Sequence, residues 1–583
     1  MSFLFLLNSG LEVFGTGMIG PFVAIATNPE SINKNDFLSL IYSQLGFQSN
    51  VTFLVALGLS VICIFYIKAL LSFNAQKKIF EFSFGLRRSL ILKLMQAYMD
   101  APYSFHLRKN SATLIQNVIT TTDQICVGLV ITLLSAIANA VVTLSLLVLL
   151  IYTDVMALLL IGMILLVAFG IMQSMKSHLV HWGKESWEAS SEIIRVVNHG
   201  LGSLKETRII GCEPYFQNQM NQQTHRYSSN SSLASAYGNL PRYIVEAIMV
   251  TFLVVFTLIF IKLNENSAQD LTAVLGVFAL ASIRLLPAVG NTIAGIGVMR
   301  SNTHALDKLY YEFKELEELS NVDEHLILQK TDTSNLGIEN TDFSKKGINL
   351  SFNKDIQIEN LKFQYLNAKD NALDDISLTI KKGESIGLIG KSGSGKTTLV
   401  DVLLGLYTPQ VGDIKVDGTS VYRNLRAWQN MLGYVPQSIF LIDDTLERNI
   451  AFGVPDALID QDRLEKAIVM AQLEEVVGNL PDGIKTIVGE RGVLLSGGQR
   501  QRVGIARVLY HEREILVFDE ATSALDSETE LLVTEATKAL SGQKTIIIIA
   551  HRLSTIEHCD RIYQLDRGKV IKSGSYKEVV IGE

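Results

Sequence analysis

The chain has 583 residues, too long for one ordinary domain. It is 48% hydrophobic and only 19% charged, with a mean hydropathy of +0.27, and its apolar residues gather in membrane-length blocks in the first half. A formal net charge of −7 and a pI of 5.9 give no reason to expect nucleic acid as a partner, and the four cysteines (Cys63, Cys126, Cys212, Cys559) lack metal-ligand or disulfide spacing and read as reduced, structural thiols.

The opening stretch, MSFLFLLNSGLEVFGTGMIGPFVAIA, is apolar from its first residue. It lacks a basic n-region and is long for a signal-peptide core. It reads as a retained membrane helix with a trimmed or mis-started cytosolic end. At about 20 apolar residues per crossing, six spans are expected, at roughly 2–27, 51–73, 126–152, 155–176, 244–262 and 271–299. Segment 28–50 and the tight turns near Thr153-Asp154 and Asn264–Asp270 fall on one side. The long polar stretches 74–125 and 177–243 fall on the other. The first of these carries Lys77, Lys78, Arg87, Arg88, Lys93, Arg108 and Lys109, whereas 28–50 carries only Lys34. Cytoplasmic loops are the basic ones, so the long stretches face the cytosol. FSFGLRRSLILKLMQAYM has apolar residues at helical spacing, so the spans should continue as helices below the membrane. APYSFHLRKNSATLIQNV and KETRIIGCEPYFQNQM are the expected turns at their tips.

Charged residues inside the spans are costly and mark function or pairing. They are Glu12, Lys68, Arg242, Glu246 and Arg284. Arg242 and Glu246 stand four apart and are expected to pair. Glu12 can neutralise Lys68 or Arg284, not both, which leaves a surplus of about one positive charge per chain to line a water-filled cavity. Pro287 withdraws an N–H from the carbonyl of Ile283 and favours a kink beside Arg284. A kinked cationic helix on a cavity suits an anionic substrate such as a phosphate or pyrophosphate headgroup. The alternative is a structural pair between Arg284 and Glu12.

After Met299 comes a charged helix, ALDKLYYEFKELEEL. Residues 320–354 lose periodicity and read as loop or linker. From Ile356 the alternation of IQIENLKFQY opens a soluble α/β domain. There GLIGKSGSGKTTL matches G-x-x-x-x-G-K-[ST] at Gly390, Gly395, Lys396 and Thr397. Its glycines let backbone N–H groups surround phosphate oxygens, Lys396 reaches the β/γ-phosphates, and Thr397 reaches Mg²⁺. The loop residues Gly390, Lys391, Ser392, Gly393, Ser394, Gly395, Lys396, Thr397 and Thr398 are thus expected to bind ATP. ILVFDEATSALD is an apolar strand ending in Asp519-Glu520, suited to Mg²⁺ ligation and to orienting water. KTIIIIAHRLS ends near His551, a hydrogen-bonding group for the γ-phosphate.

LSGGQRQR (Leu495–Arg502), between the phosphate loop and Asp519, resembles the signature of the ATP-binding cassette family. Further family elements follow in order. Tyr365 resembles the aromatic that stacks on adenine. Gln437 in GYVPQ resembles the glutamine that senses Mg²⁺ and γ-phosphate. TIVGERG (Thr486–Gly492) resembles the exporter loop that contacts the partner's cytosolic helices, and SALD (Ser523–Asp526) the dimer-interface loop. The resemblance covers about 356–580, and the six spans match the exporter arrangement. It implies ATP hydrolysis with Glu520, His551 and Gln437 catalytic and Thr397, Gln437 and Asp519 on Mg²⁺. It also implies a signature (Ser496, Gly497, Gly498, Gln499) and Asp526 that act on the partner's ATP, hence a homodimer. GLEVFGTGMIGPFVAIATNPE, PRYIVEAI and IRLLPAVGN further resemble bacterial flippases of lipid-linked oligosaccharides. In these, basic cavity residues engage the lipid pyrophosphate, and Lys68, Arg242 and Arg284 stand at similar positions. A further arginine of that pattern is Asn291 here, so the basic belt is thinner.

The expected architecture is an α-helical membrane domain of six transmembrane helices with long cytosolic extensions, plus an α/β P-loop nucleotide-binding domain. The expected boundaries are 1–304, a helical extension and linker at 305–354, and 355–583. The expected activity is ATP-driven export or flipping of an anionic lipid-linked substrate across the plasma (inner) membrane, with no nucleic-acid partner. A multidrug, peptide or polysaccharide-related exporter with a structural Arg284 is the alternative. A soluble repair-type cassette ATPase conflicts with the spans, and an ATP-gated channel with Glu520 and His551.

Overall fold

The structure is a computed structural model. It describes the chain except residues 1, 28–41, 45–46, 48, 154–165, 168–169, 264–267, 331–349, 367, 520–534, 536–537, 539, 551 and 583. Within helices some side chains also stand outside the description, among them those of Arg284 and Pro287. The chain divides into two compact units, Met1–Ala101 with Phe105–Glu317, and Glu318–Glu583 with Pro102–Ser104.

The first unit is helical. Its long elements are α1 (Ser2–Thr27) and α2 (Asn50–Asp100). Two short helices follow, α3 (Tyr103–Arg108) and α4 (Ser111–Gln116), which lead into π-helical turns at Asn117–Thr121 and Gln124–Ile131. Then come α5 (Thr132–Thr153), α6 (Lys176–Gly202), α7 (Leu204–Ile210), α8 (Glu213–Leu263) and α9 (Ala268–Lys330). Among the described residues, Asn50–Asp100 and Ser111–Ser145 are long and apolar enough to cross a membrane. The spans expected at 2–27, 51–73, 244–262 and 271–299 fall within helices, as does most of 126–152; most of 155–176 lies outside the described residues.

The polar stretches are helical, because α2, α6 and α8 carry the expected period past the apolar blocks without a break. Gly211 (φ +73°) closes α7 at the second tip, and Asn110 caps α4 by accepting from Ala112 N at 2.9 Å. One boundary differs from expectation. The segment read as linker from 320 begins as helix, since α9 runs to Lys330 through SNVDEHLILQK, whose Glu, Leu and Gln sustain a helix without an apolar stripe. The helix of α9 also passes position 287.

Helix crossings in this unit rest on glycine. A Cβ on Gly297 of α9 would stand 2.9 Å from Gly238 Cα of α8, and one on Gly183 of α6 would stand 1.9 Å from the Ser301 carbonyl oxygen of α9. A polar seam fills the bundle below. Ser83, Gln116, Asn117, Thr121 and Thr122 are fully buried. Gln116 Nε2 donates to the Trp187 carbonyl at 3.1 Å, and Trp187 Nε1 donates to Thr121 Oγ1 at 3.2 Å.

The second unit has two sheets. β1 (Asp355–Phe363), β2 (Leu373–Lys381), β4 (Val411–Val416) and β5 (Thr419–Ser420) form an antiparallel sheet in the order β2-β1-β4-β5. The other sheet has the order β10-β9-β3-β8-β7-β6. It contains β3 (Ser385–Ile389), β6 (Leu432–Val435), β7 (Ile515–Asp519), β8 (Thr545–Ile549), β9 (Arg561–Asp566) and β10 (Lys569–Gly574). Its strands are parallel from β9 to β6, and β10 is antiparallel to β9. β7 is buried along its whole length, as a strand covered on both faces must be. One apolar core, with Ile356, Leu361, Trp428 and Ile547, lies between the sheets. A second, with Leu446, Leu464, Val503 and Phe518, packs the helices beyond.

Gly183→Ala should lower stability by about 1–3 kcal/mol, the usual cost of overpacking, because backbone rather than a flexible side chain blocks the new methyl. Gly202→Ala, with nothing within 4 Å of its Cβ, should leave the thermal midpoint unchanged or raised. Thermal unfolding of both purified variants checks this.

Candidate functional site

The register of the parallel sheet builds the site. Leu388 of β3 pairs with Ile549 of β8, and Ile549 pairs with Asp519 of β7. The ends of β3 and β7 therefore lie at one sheet edge with a single strand between them. From β3 the chain turns through residues 390–395 into α10 (Lys396–Leu403). Glycine is required at two points of this turn. A Cβ on Gly390 (φ +152°) would meet the Leu565 carbonyl oxygen at 2.2 Å, and one on Gly395 (φ +100°) the Ala372 carbonyl oxygen at 2.8 Å. Lys391, Ser392 and Gly393 are exposed, while Ser394 is buried with a hydroxyl that has no hydrogen-bond partner among the described residues. Lys396 is 5% exposed, and its ammonium arcs back to donate to the carbonyls of Gly390 (2.9 Å) and Lys391 (3.1 Å). Thr397 is exposed and Thr398 buried. A loop of this kind, opening a helix, presents N–H groups and a dipole to an anion.

Tyr365 lies beside the loop. Its hydroxyl shares a 2.9 Å hydrogen bond with Thr398 Oγ1, and its ring packs edge-on against Phe363 and Tyr407. Asp519 is buried and accepts from the Tyr434 hydroxyl at 3.1 Å. Gln437 is exposed just beyond β6, and its carbonyl accepts from Gln501 Nε2 at 2.7 Å. Gln501 belongs to α11 (Gly497–Tyr510), the helix of the signature. Ser496 caps this helix reciprocally: its hydroxyl accepts from Gln499 N at 3.2 Å, and its N–H donates to Gln499 Oε1 at 2.8 Å. Gly497 and Gly498 form the first turn, on a helix different from that of the phosphate loop. Glu520, Asp526 and His551 lie outside the described residues.

Three participants have no role expected from sequence, although Tyr434 lies in GYVPQ and Gln501 in LSGGQRQR. Tyr434 holds Asp519, Gln501 ties the Gln437 segment to the signature helix, and Asp401 lies one turn beyond Thr397. Burial, and then the charge of Asp519, push the Asp401 carboxyl up to about 6. The only sequence signal for Asp401 is its four-residue spacing from Thr397 on a helix.

In the first unit, Lys68 forms an ion pair with Glu12, and both side chains are largely buried. Lys68 is thus one partner of Glu12, the acid expected to serve Lys68 or Arg284. Arg242 is exposed in the single chain, and the expected pair with Glu246 does not form. Its stem instead lies on Gly290 of α9, where a Cβ would stand 3.0 Å from Arg242 Cγ. The Arg284 side chain lies outside the described residues.

Two family models match the chain: ABC transporter over residues 373–523, and ABC transporter transmembrane region over 3–284. The ATP-dependent lipid A-core flippase of Ralstonia nicotianae is 30% identical over 497 residues, covering 84% of this chain and 79% of that protein. The protein of the same name from Cupriavidus metallidurans is 31% identical over 521 residues, covering 88% and 83%. Among solved structures, a bacterial Atm1-family ABC exporter with ATP bound superposes with a TM-score of 0.75 at 21% identity, covering 99% of this chain and 96% of that one, a likeness of fold.

Asp401 gives a pH prediction. Its carboxyl rises from 3.8 to about 6 on folding, so without nucleotide it costs nothing below pH 4 and its full penalty above pH 6. Allowing for its partial exposure, Asp401→Asn should stabilise the nucleotide-free protein by about 1–2 kcal/mol at pH 7.5 and by almost nothing at pH 4. Denaturant unfolding at the two pH values reads the difference.

Proposed function

The chain belongs to the ABC transporter family, as an exporter with a transmembrane helical region and a cytoplasmic ATP-binding domain whose ATP hydrolysis is coupled to transport, and from that premise we propose its finer function. Two identical chains form the working unit. They move an anionic lipid-linked substrate, a glycolipid or lipid-linked oligosaccharide, from the cytosolic to the outer side of the inner membrane through six spans per chain.

The ATP chemistry is assigned residue by residue. Loop N–H groups from Gly390 to Thr398 and the Lys396 ammonium hold the phosphates, and Tyr365 takes the adenine. The partnerless Ser394 hydroxyl supplies one more donor. Mg²⁺ fits this edge, because Asp519 is a buried carboxylate at the strand end and its charge adds to burial in raising the pKa of Asp401. Thr397, Asp519 and Gln437 would hold the ion, whose charge would neutralise the phosphate oxygens. Glu520 orients the attacking water and His551 faces the γ-phosphate. Ser496 to Gln499, with Asp526, close over the partner's nucleotide, so ATP joins two cassettes and hydrolysis parts them.

The observation that carries the anionic substrate is Arg242. It forms no ion pair among the described residues, although it lies within an apolar segment, and Gly290 makes room for its stem. A cation that lacks a protein partner in such a segment calls for a water-filled cavity or an anionic ligand. Val289, next in sequence to Gly290, and Ile293 of α9 line with Leu144 and Leu147 of α5 an apolar cleft of about 250 Å³, a surface for acyl or prenyl chain. The relatives named lipid A-core flippases support the same substrate class. Arg284 joins Arg242 at the headgroup. Lys68, already neutralised by Glu12, contributes to the cavity wall.

Glu520→Gln should abolish steady-state ATPase activity while retaining ATP binding, and activity near wild type would remove the catalytic assignment. Arg242→Ala and Arg284→Ala should each cut transport at least fivefold while basal ATPase activity stays within twofold. Mass spectrometry of lipids retained by the purified Glu520→Gln protein tests the substrate: phosphate-bearing glycolipids are expected, and only bulk zwitterionic phospholipid would contradict the reading.

A further inference from the structure

The first unit contains an ionic cluster that the ATP chemistry does not use. Glu312 of α9 is 2% exposed. Its Oε2 lies 3.3 Å from Lys109 Nζ, which also meets Glu315 Oε2 at 2.7 Å. Arg108 Nη2 reaches Glu315 Oε1 at 3.0 Å. Apolar contacts support these ions. Lys109 stands 5.5 Å from the centre of the fully buried Phe105 ring, which stacks on Tyr98. Asn117 Nδ2 donates to the Tyr98 hydroxyl at 3.2 Å. Burial alone would lower the Lys109 pKa, but the hydrogen bond to Glu315 and the two carboxylates raise it above the ordinary lysine value.

Two segments some two hundred positions apart, 105–109 and 312–315, are thereby joined. Their place in the chain is specific. The chain passes into the second unit at Pro102–Ser104, returns at Phe105, and leaves again after Glu317. The cluster thus ties the segment that follows the first passage to the segment that precedes the last. An exposed ion pair would hold them weakly. Here one partner is a buried carboxylate, and separating the segments would strand its charge.

We propose that the Arg108–Lys109–Glu312–Glu315 cluster is a permanent strut. It makes the two passages one rigid body, so that nucleotide-driven movement of the ATP-binding unit reaches the membrane helices through both at once. Without it, the cassettes turn over ATP while the membrane helices respond incompletely. Lys109 is therefore a positioning residue for coupling.

The test reads coupling without a transported substrate. The four native cysteines are replaced by alanine and Asn291→Cys is introduced at an exposed position of α9. Labelling of Cys by a membrane-impermeant maleimide is compared in nucleotide-free and ATP–vanadate-trapped protein in vesicles. The reference protein should change its labelling rate at least fivefold between the two states. Lys109→Glu should change less than twofold, with ATPase activity within twofold of the reference, and Lys109→Arg should keep the full change. Should Lys109→Glu fail to assemble, Glu315→Gln carries the same expectation. A disulfide between Arg108→Cys and Glu315→Cys, made in the same background and read by ATPase activity stimulated by bulk lipid, should leave that activity intact, since the strut never opens. A Lys109→Glu or Glu315→Gln protein that still switches fully, or a disulfide that blocks turnover, would overturn the strut. A reference protein indifferent to nucleotide would instead overturn ATP-driven switching, and the strut with it.

Discussion

Ile549 lies in register between Leu388 and Asp519, and the rest of the ATP site depends on that row. In a parallel sheet the strand ends face one edge, and a slip of one residue turns a side chain to the opposite face. With β7 buried throughout, such a slip would carry Asp519 away from the phosphate loop. The row also accounts for the side chains around it. Tyr434, at the end of β6, reaches Asp519 because β6 is the next parallel strand. Asp401 is held near the same carboxylate and kept from ionising freely. The edge thus combines the N–H donors, Lys396 and Asp401 that follow β3 with Asp519 at the end of β7, one strand away across β8, an arrangement that suits a nucleotide and a divalent cation arriving together.

A related electrostatic constraint governs the helical unit. Charge in a low-dielectric environment is paired, hydrated or used. Lys68 and Glu12 take the first course, with both side chains largely buried in their ion pair. Arg242 does not pair with Glu246, and its stem occupies the space that Gly290 leaves open. Glycine has a second role at Gly238–Gly297 and Gly183–Ser301, where helices approach too closely for any side chain. Gly290, which leaves room for the cation, and Gly297 and Ser301, at the tight crossings, all belong to α9.

The cassette was legible in sequence because its chemistry is local. Gly390 to Thr398 form one continuous stretch of loop and first helical turn, and the capping residues Ser496 and Gln499 stand three apart. Helical period likewise revealed the polar continuations of α2 and α8. What escaped was set by distant partners. Asp401 and Tyr434 gain meaning only when β6, β7 and α10 meet. Composition allowed Glu12 to meet Lys68, which it does, and Arg242–Glu246 spacing suggested a pair that does not form, the Arg242 stem lying on Gly290. The helix through 320–330 was missed because it has no apolar stripe, and the buried seam of Gln116, Asn117 and Thr121 because buried polar residues look like surface ones in sequence.

The most direct test of ATP-driven movement of an anionic lipid-linked substrate is a leaflet-resolved assay in proteoliposomes containing a phosphate-bearing glycolipid or its dephosphorylated counterpart. On addition of ATP and Mg²⁺, the phosphate-bearing lipid should leave the cassette-facing leaflet at least several times faster than the uncharged one, and neither should move without ATP. Equal movement of both lipids, or movement indifferent to ATP, would contradict it.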